Sequence, residues 1–281
     1  MKALTLALAR VLSLTLTLAL GTGGPAGAGD RQGDLDELAG LMGFGETVGI
    51  MRQEGVIYGE ALRAEMIPDV SDLVWRAEVA RIYDADKMLA VVSTEFAQAL
   101  DGADLAPMLA YFRGEEAQRI VRLELSARRA LAGEGVEEAA RDRVERLAGE
   151  EAPLLAQVDR LIADSDMIEF NTMGQLNAQL MFYRGLVEGG AFELSEEEML
   201  TDIWGQEEAV RADSRDWLRL FMVMAYEPLE PAELDRYEAF YRSEAGRALN
   251  RALYAGFDRM YDELSYLLGF AVAGQMQSQP L

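Results

Sequence analysis

Apolar residues recur every three or four positions through almost the whole chain. Nowhere do β-branched residues alternate with polar ones for long enough to make a convincing strand. That spacing predicts an all-α fold with no sheet. The C-terminal segment shows it best. Leu249, Leu253, Phe257, Met260, Leu264 and Leu267 form one stripe, while Arg247, Arg251, Asp258, Arg259 and Asp262 lie off it. Punctuation supports the pattern. Ser195 with Glu198 three residues on spells a capping box. Glu230-Pro231 suits a helix start, with proline at the first helical position. Asp101-Gly102, Gly133-Glu134-Gly135 and Gly189-Gly190 read as breaks between helices.

An internal repeat organises these helices. Residues 104–122 align without gaps on 233–251, at an offset of 129, so that Leu105, Ala110, Arg113, Glu115 and Arg122 match Leu234, Ala239, Arg242, Glu244 and Arg251. Two aromatics coincide as well, Tyr111-Phe112 with Phe240-Tyr241. Each copy reads as a short helix, a tight turn and a longer helix, with the aromatics buried at the elbow. Ser243 can cap the second long helix and Glu244 sits near its positive end; Gly114 caps the first less well. The expected architecture is therefore a helical bundle of two related halves, an internal duplication. Its parts are a leader over 1–28, a flexible start over 29–39, halves over 40–150 and 151–275, and a tail over 276–281.

The second elbow, Phe240-Tyr241-Arg242-Ser243-Glu244-Ala245-Gly246-Arg247-Ala248-Leu249, resembles the aromatic, serine, glycine and leucine turn of a set of exported bacterial helical proteins, the domain of unknown function family twenty fifty-nine. The resemblance covers mainly 231–268, with a weaker copy over 104–130 where Gly114 replaces the serine and Ala117 the glycine. It implies an all-α fold and a location in the cell envelope. It implies no reaction and no cofactor.

Met1–Ala28 has the form of a secretory signal: Lys2, a Leu-rich run from Val11 to Leu20, a Gly/Pro breaker at Gly21–Pro25, and the small-x-small site Ala26-Gly27-Ala28. The alternative is an uncleaved anchor in the inner membrane, which Arg10 and the Gly-rich end argue against. Cleavage predicts a soluble periplasmic chain with no stable membrane insertion. The chain carries 26 basic and 49 acidic residues, a net charge of −23, and cleavage would leave 24 against 49, or −25. Such a charge repels phosphate backbones, so nucleic acid is not an expected partner. Of the basic residues only Lys2 and Lys87 are lysine. The arginine can read as carboxylate recognition or as the codon bias of a GC-rich bacterial genome, which scarce Asn and abundant Ala favour.

The chain has no cysteine and no histidine. That removes Cys/His and Ser-His-Asp nucleophiles, thiolate or imidazole zinc sites, disulfides and a lipid anchor on cysteine. Carboxylates are the abundant reactive groups that remain. Catalysis by them, for instance on envelope glycans, would show as a buried Glu or Asp pair in a deep cleft. Asp84-Ala85-Asp86 running to Glu95 imitates a calcium loop, but Met88 and Leu89 occupy positions that need a ligand and a glycine. No catalytic, cofactor-binding or metal-binding residue is assigned. Asn171, Gln175, Asn177 and Gln179 read as amides bonding across the bundle rather than as a polar groove. Tyr254, Phe257 and Tyr261, and most of the 14 methionines, read as core. Gly185, Gly246 and Gly256 cost helix stability unless a neighbouring helix approaches closely.

Three functions stay open. The favoured one is non-catalytic binding of an envelope protein, a peptide or an apolar ligand, with Tyr241, Arg242, Ser243, Glu244 and Gly246 as a contact surface. The others are a carboxylate hydrolase and a structural or envelope-stress component without a ligand. The oligomeric state is open too.

Overall fold

A computed structural model describes residues 28–278. The leader expected at Met1–Ala28 lies, but for its last residue, outside them. The described residues form an all-α bundle without strands. Helices α1 (Ala28–Leu41), α2 (Phe44–Met66), α3 (Asp72–Ile82) and α4 (Ala85–Ala99) are followed by the first elbow, α5 (Ala106–Phe112) and α6 (Glu115–Leu131). Then come α7 (Val136–Gly149), α8 (Pro153–Asp164), α9 (Met167–Glu188), α10 (Glu196–Trp204) and α11 (Glu207–Tyr226). The second elbow, α12 (Pro231–Tyr241) and α13 (Glu244–Ser278), closes the chain.

Local chemistry sets the boundaries. The Ser195 hydroxyl accepts from the Glu198 backbone N–H, and the Glu198 carboxylate returns to the Ser195 N–H, completing the capping box that starts α10. A second box, Glu230 with Glu233, starts α12 just ahead of Pro231. Gly102, Gly135 and Gly190 take left-handed conformations at the expected breaks. The imitation calcium loop is helix: Asp84 caps α4 by accepting from the Lys87 backbone N–H.

Two boundaries differ from expectation. The flexible start is helix α1, because Leu35 and Leu38 are buried in the core and hold it there. The tail is shorter than expected, since α13 runs on to Ser278. The stripe along α13 also drifts. Leu267 is 41% exposed and Leu268 takes its place at 1%, as an unbroken four-residue step from Leu264 requires.

Helix α13 is the central strut, packed between α4 and α9. It carries the larger core, which joins Leu38, Trp75 and Phe96 of the N-terminal helices to Phe182 of α9 and to Leu249, Leu264 and Val272 of α13 itself. A second core lies under α11, with Ile120 and Val158 meeting Leu218, Met222, Tyr226 and Tyr237. The segments 40–150 and 151–275 thus do not keep separate cores; the last helix of one completes the core of the other.

The glycines show how tightly. A methyl group added at Gly256 would lie 2.8 Å from the Val92 carbonyl oxygen of α4, the close approach expected there. At Gly185 it would lie 2.2 Å from the Tyr266 carbonyl oxygen of α13. The amides of α9 are mostly internal. Asn171 donates to the Tyr254 hydroxyl and the Met167 carbonyl, Gln175 to Ser214, and Gln179 to Gln206, while Asn177 is exposed.

Candidate functional site

The two elbows meet each other. Tyr111 and Phe240, equivalent at the offset of 129, stack with ring centroids 3.9 Å apart and planes 6° from parallel. Phe112 stands edge-on to Phe240 at 5.6 Å. Ion pairs across the same seam, Arg119–Glu233 at 2.5 Å and Arg236–Glu116 at 2.6 Å, fasten α6 to α12 and α12 to α6.

Within the second elbow most of the expected contact residues are used by the turn itself. Ser243 accepts from the Gly246 backbone N–H at 3.0 Å and donates to the Phe240 carbonyl at 2.6 Å. Such a cap is worth about 1 kcal/mol. Gly246 is buried, and a Cβ there would lie 2.0 Å from that same carbonyl. Tyr241 is buried as well. Arg242 is exposed and paired with Glu238 at 3.4 Å and Asp164 at 3.5 Å, and Glu244 is exposed in the first turn of α13. In the first elbow, Gly114 offers no side-chain cap. Gln118 ties the turn differently, donating to the carbonyls of Phe112 and Leu41.

Behind the elbows lies a cavity of about 80 Å³ between the two parts of the chain. One water needs only about 10–15 Å³, so the space admits a small ring-bearing molecule. The N-terminal helices contribute Phe44, Met51, Phe112 and Leu125 to its wall. The C-terminal ones contribute Phe221, Tyr237, Tyr241, Tyr254, Phe257 and Tyr261. Eight aromatic side chains thus line one space. Tyr254 and Tyr261 belong to the expected core stripe and Tyr241 to the expected contact residues; here they share one wall.

Two ionisable groups other than tyrosine reach this wall, Glu124 and Arg128, one turn apart on α6. Arg128 is 8% exposed and meets Glu54 of α2 in a two-pronged pair, Nε at 3.1 Å and Nη2 at 2.9 Å, with Tyr261 as a further hydrogen-bond partner. Glu124 receives the hydroxyls of Tyr226 at 2.6 Å and Tyr237 at 2.7 Å, both on Oε1. The Tyr241 hydroxyl lies 3.5 Å from that of Tyr237. The single Tyr237 proton is taken by Glu124, so at that distance Tyr241 is a neighbouring hydroxyl rather than a firm partner. Two tyrosine hydroxyls thus end on one carboxylate oxygen, with a third hydroxyl close by. Burial pushes the Glu124 carboxyl above the usual range, and its two tyrosine bonds pull partly back. The same burial pushes the Tyr226 and Tyr237 hydroxyls well up, so both stay protonated as donors.

Sequence reasoning passed over Glu124 and Arg128, although a signal was there. Ala117, Ile120, Val121, Glu124, Leu125 and Arg128 fall at helical spacing on one face, so the wheel of α6 places both charges among apolar residues.

A half-buried carboxylate pair does occur, at Asp258 and Asp262 on α13, but neither residue lines the cavity. Each keeps Oδ1 buried with no hydrogen-bond partner. Burial, then the charge of Asp262, pushes Asp258 up to about 8. Burial, opposed by Arg259 and Arg184, pushes Asp262 up to about 6. Both folded values lie above the unfolded one of about 3.8. The folded state therefore holds protons that the unfolded state has released, and stability is lost as pH rises through 6 and 8. Urea unfolding from pH 5 to 9 should show that fall, and Asp258→Asn should flatten it, gaining about 1–3 kcal/mol over the parent at pH 9. Parallel curves for the two proteins would refute this.

Among the described residues no group of three acidic side chains is placed to hold a metal ion, and no helix is long and apolar enough to cross a membrane. No protein-family model, curated protein or solved structure matches the chain.

Proposed function

We propose that this is an exported, non-catalytic binding protein of the periplasm whose ligand is a small, largely apolar molecule held in the cavity behind the elbows. One observation carries the reading: a space between the two parts of the chain, walled by eight aromatic side chains and by a few converging polar groups. A core that needed only to be filled has no use for such a space, because packed interiors leave few voids larger than a water. The leader-like segment Met1–Ala28 supports the location. Glycan hydrolysis is less well supported, since it asks for two facing carboxylates and Glu124 alone reaches this wall.

Toluene tests the reading. At about ten times its Kd, a ligand of the folded state adds about 1.4 kcal/mol of stability. For a chain of this size that raises Tm by about 3–6 °C. Leu253→Trp, which fills the cavity from α13, should abolish the shift. No rise in Tm at toluene saturation would refute the cavity as a ligand site.

A further inference from the structure

The charges around the cavity do not balance. Arg128 is matched by Glu54, which takes its guanidinium on both carboxylate oxygens. Glu124 has no such match. Its partners are the neutral hydroxyls of Tyr226 and Tyr237, and both fall on Oε1. No arginine or lysine among the described residues pairs with it. A carboxylate offers about four acceptor sites, so Oε2 is left without a donor. Other acids of this chain do have a cation: Arg113 grips Glu37 and Arg219 grips Asp159, each by two hydrogen bonds. Glu124 is half-buried, and a carboxylate drawn away from water without a cation carries a cost. Keeping one in an aromatic cavity makes sense if the cation arrives with the ligand.

The aromatic wall fits the same occupant. Ring faces attract cations, most strongly where water is excluded. Tyr237, Tyr241 and Phe221 share the cavity wall with Glu124. A net charge of −23 enriches small cations around the protein and depletes anions.

We infer that the ligand is a small organic cation, an ammonium on an apolar group, whose N–H donates to Glu124 Oε2 while its apolar part lies against the aromatic wall. This rests on the cavity reading above and specifies its ligand class. The ammonium takes the oxygen of Glu124 that Tyr226 and Tyr237 leave free, and needs no change in the Arg128–Glu54 pair.

Calorimetric titration of the full chain with benzylammonium, benzyl alcohol, benzoate and toluene tests it, because the first three differ chiefly in charge. Benzylammonium should bind about ten- to a hundredfold more tightly than benzyl alcohol, the range of a charged hydrogen bond with a desolvated cation–π contact. Benzoate should not bind detectably. In Glu124→Gln the preference for benzylammonium should shrink to the cation–π share, about two- to fivefold, while toluene binding, which reports an intact cavity, persists. Benzylammonium binding no tighter than benzyl alcohol in the parent protein would overturn the inference without recourse to any variant. So would a preference undiminished in Glu124→Gln. In both cases, persisting toluene binding leaves the cavity reading standing; loss of toluene binding by the parent protein removes both.

Discussion

Gly269→Ala should destabilise the protein by about 3–5 kcal/mol and lower Tm by about 10 °C or more. The added methyl would sit 2.1 Å from the Phe182 carbonyl oxygen and 3.1 Å from the Leu186 nitrogen. Those are backbone atoms of α9, so no side chain can rotate away to relieve the clash. Helices α9 and α13 would have to separate, and Gly185 opposite Tyr266 shows that the contact is as close from the other side. Gly274 in the same helix supplies the contrast, because nothing lies within 4 Å of a methyl placed there. Gly274→Ala should stabilise by about 0.5–1 kcal/mol through helix propensity alone. Thermal unfolding of the two variants side by side decides the point. If Gly269→Ala falls within about 1 kcal/mol of the parent, the helices are not in backbone contact.

Arg128→Met should cost about 3–5 kcal/mol. The guanidinium is buried and ties α6 to Glu54 of α2 and Tyr261 of α13. Burial works against its charge, but the Glu54 carboxylate and the Tyr261 hydroxyl outweigh it and hold the group fully protonated. Methionine fills much of the volume but leaves Glu54 facing the core without its cation. The double variant Glu54→Leu/Arg128→Met removes both charges and should recover most of the loss, since a well-packed apolar pair often equals a buried ion pair. Urea unfolding of the parent, both single variants and the double variant measures the coupling. A single-variant loss under about 1 kcal/mol would show that the pair is too solvated to matter.

What could be read from the sequence was local. Ser195 with Glu198, Glu230 with Pro231, and the glycines at the breaks act within one or two turns, so their effects appear in the residue order. Gly256 was legible because a helix interior tolerates glycine only for a reason, although the reason, Val92 on α4, lies far away in the chain. The elbow aromatics were expected to be buried, yet nothing in their order says that Tyr111 stacks on Phe240. Glu124 was one carboxylate among 49 acids. Its role depends on Tyr226 and Tyr237, more than a hundred residues further on. The start of the chain misled in the opposite way: 29–39 is rich in Gly and Asp, and only the burial of Leu35 and Leu38 reveals why it is helical.

The position of α13 bears on how the molecule comes to be. The N-terminal core is walled by Leu249, Leu253, Leu264 and Leu268, residues near the far end of the chain. Until that last helix exists, Val92 of α4 lacks the Gly256 backbone that covers it, and Phe96 has Phe44 of α2 but not the leucines of α13. Closing so long a loop adds little to the equilibrium cost, which grows only with the logarithm of length, but it places the decisive contacts late and makes them slow. Emerging N-terminus first, the chain therefore cannot finish its first half before its second. Assembly waits for the C-terminus, and the fold then locks as one unit rather than in two successive parts.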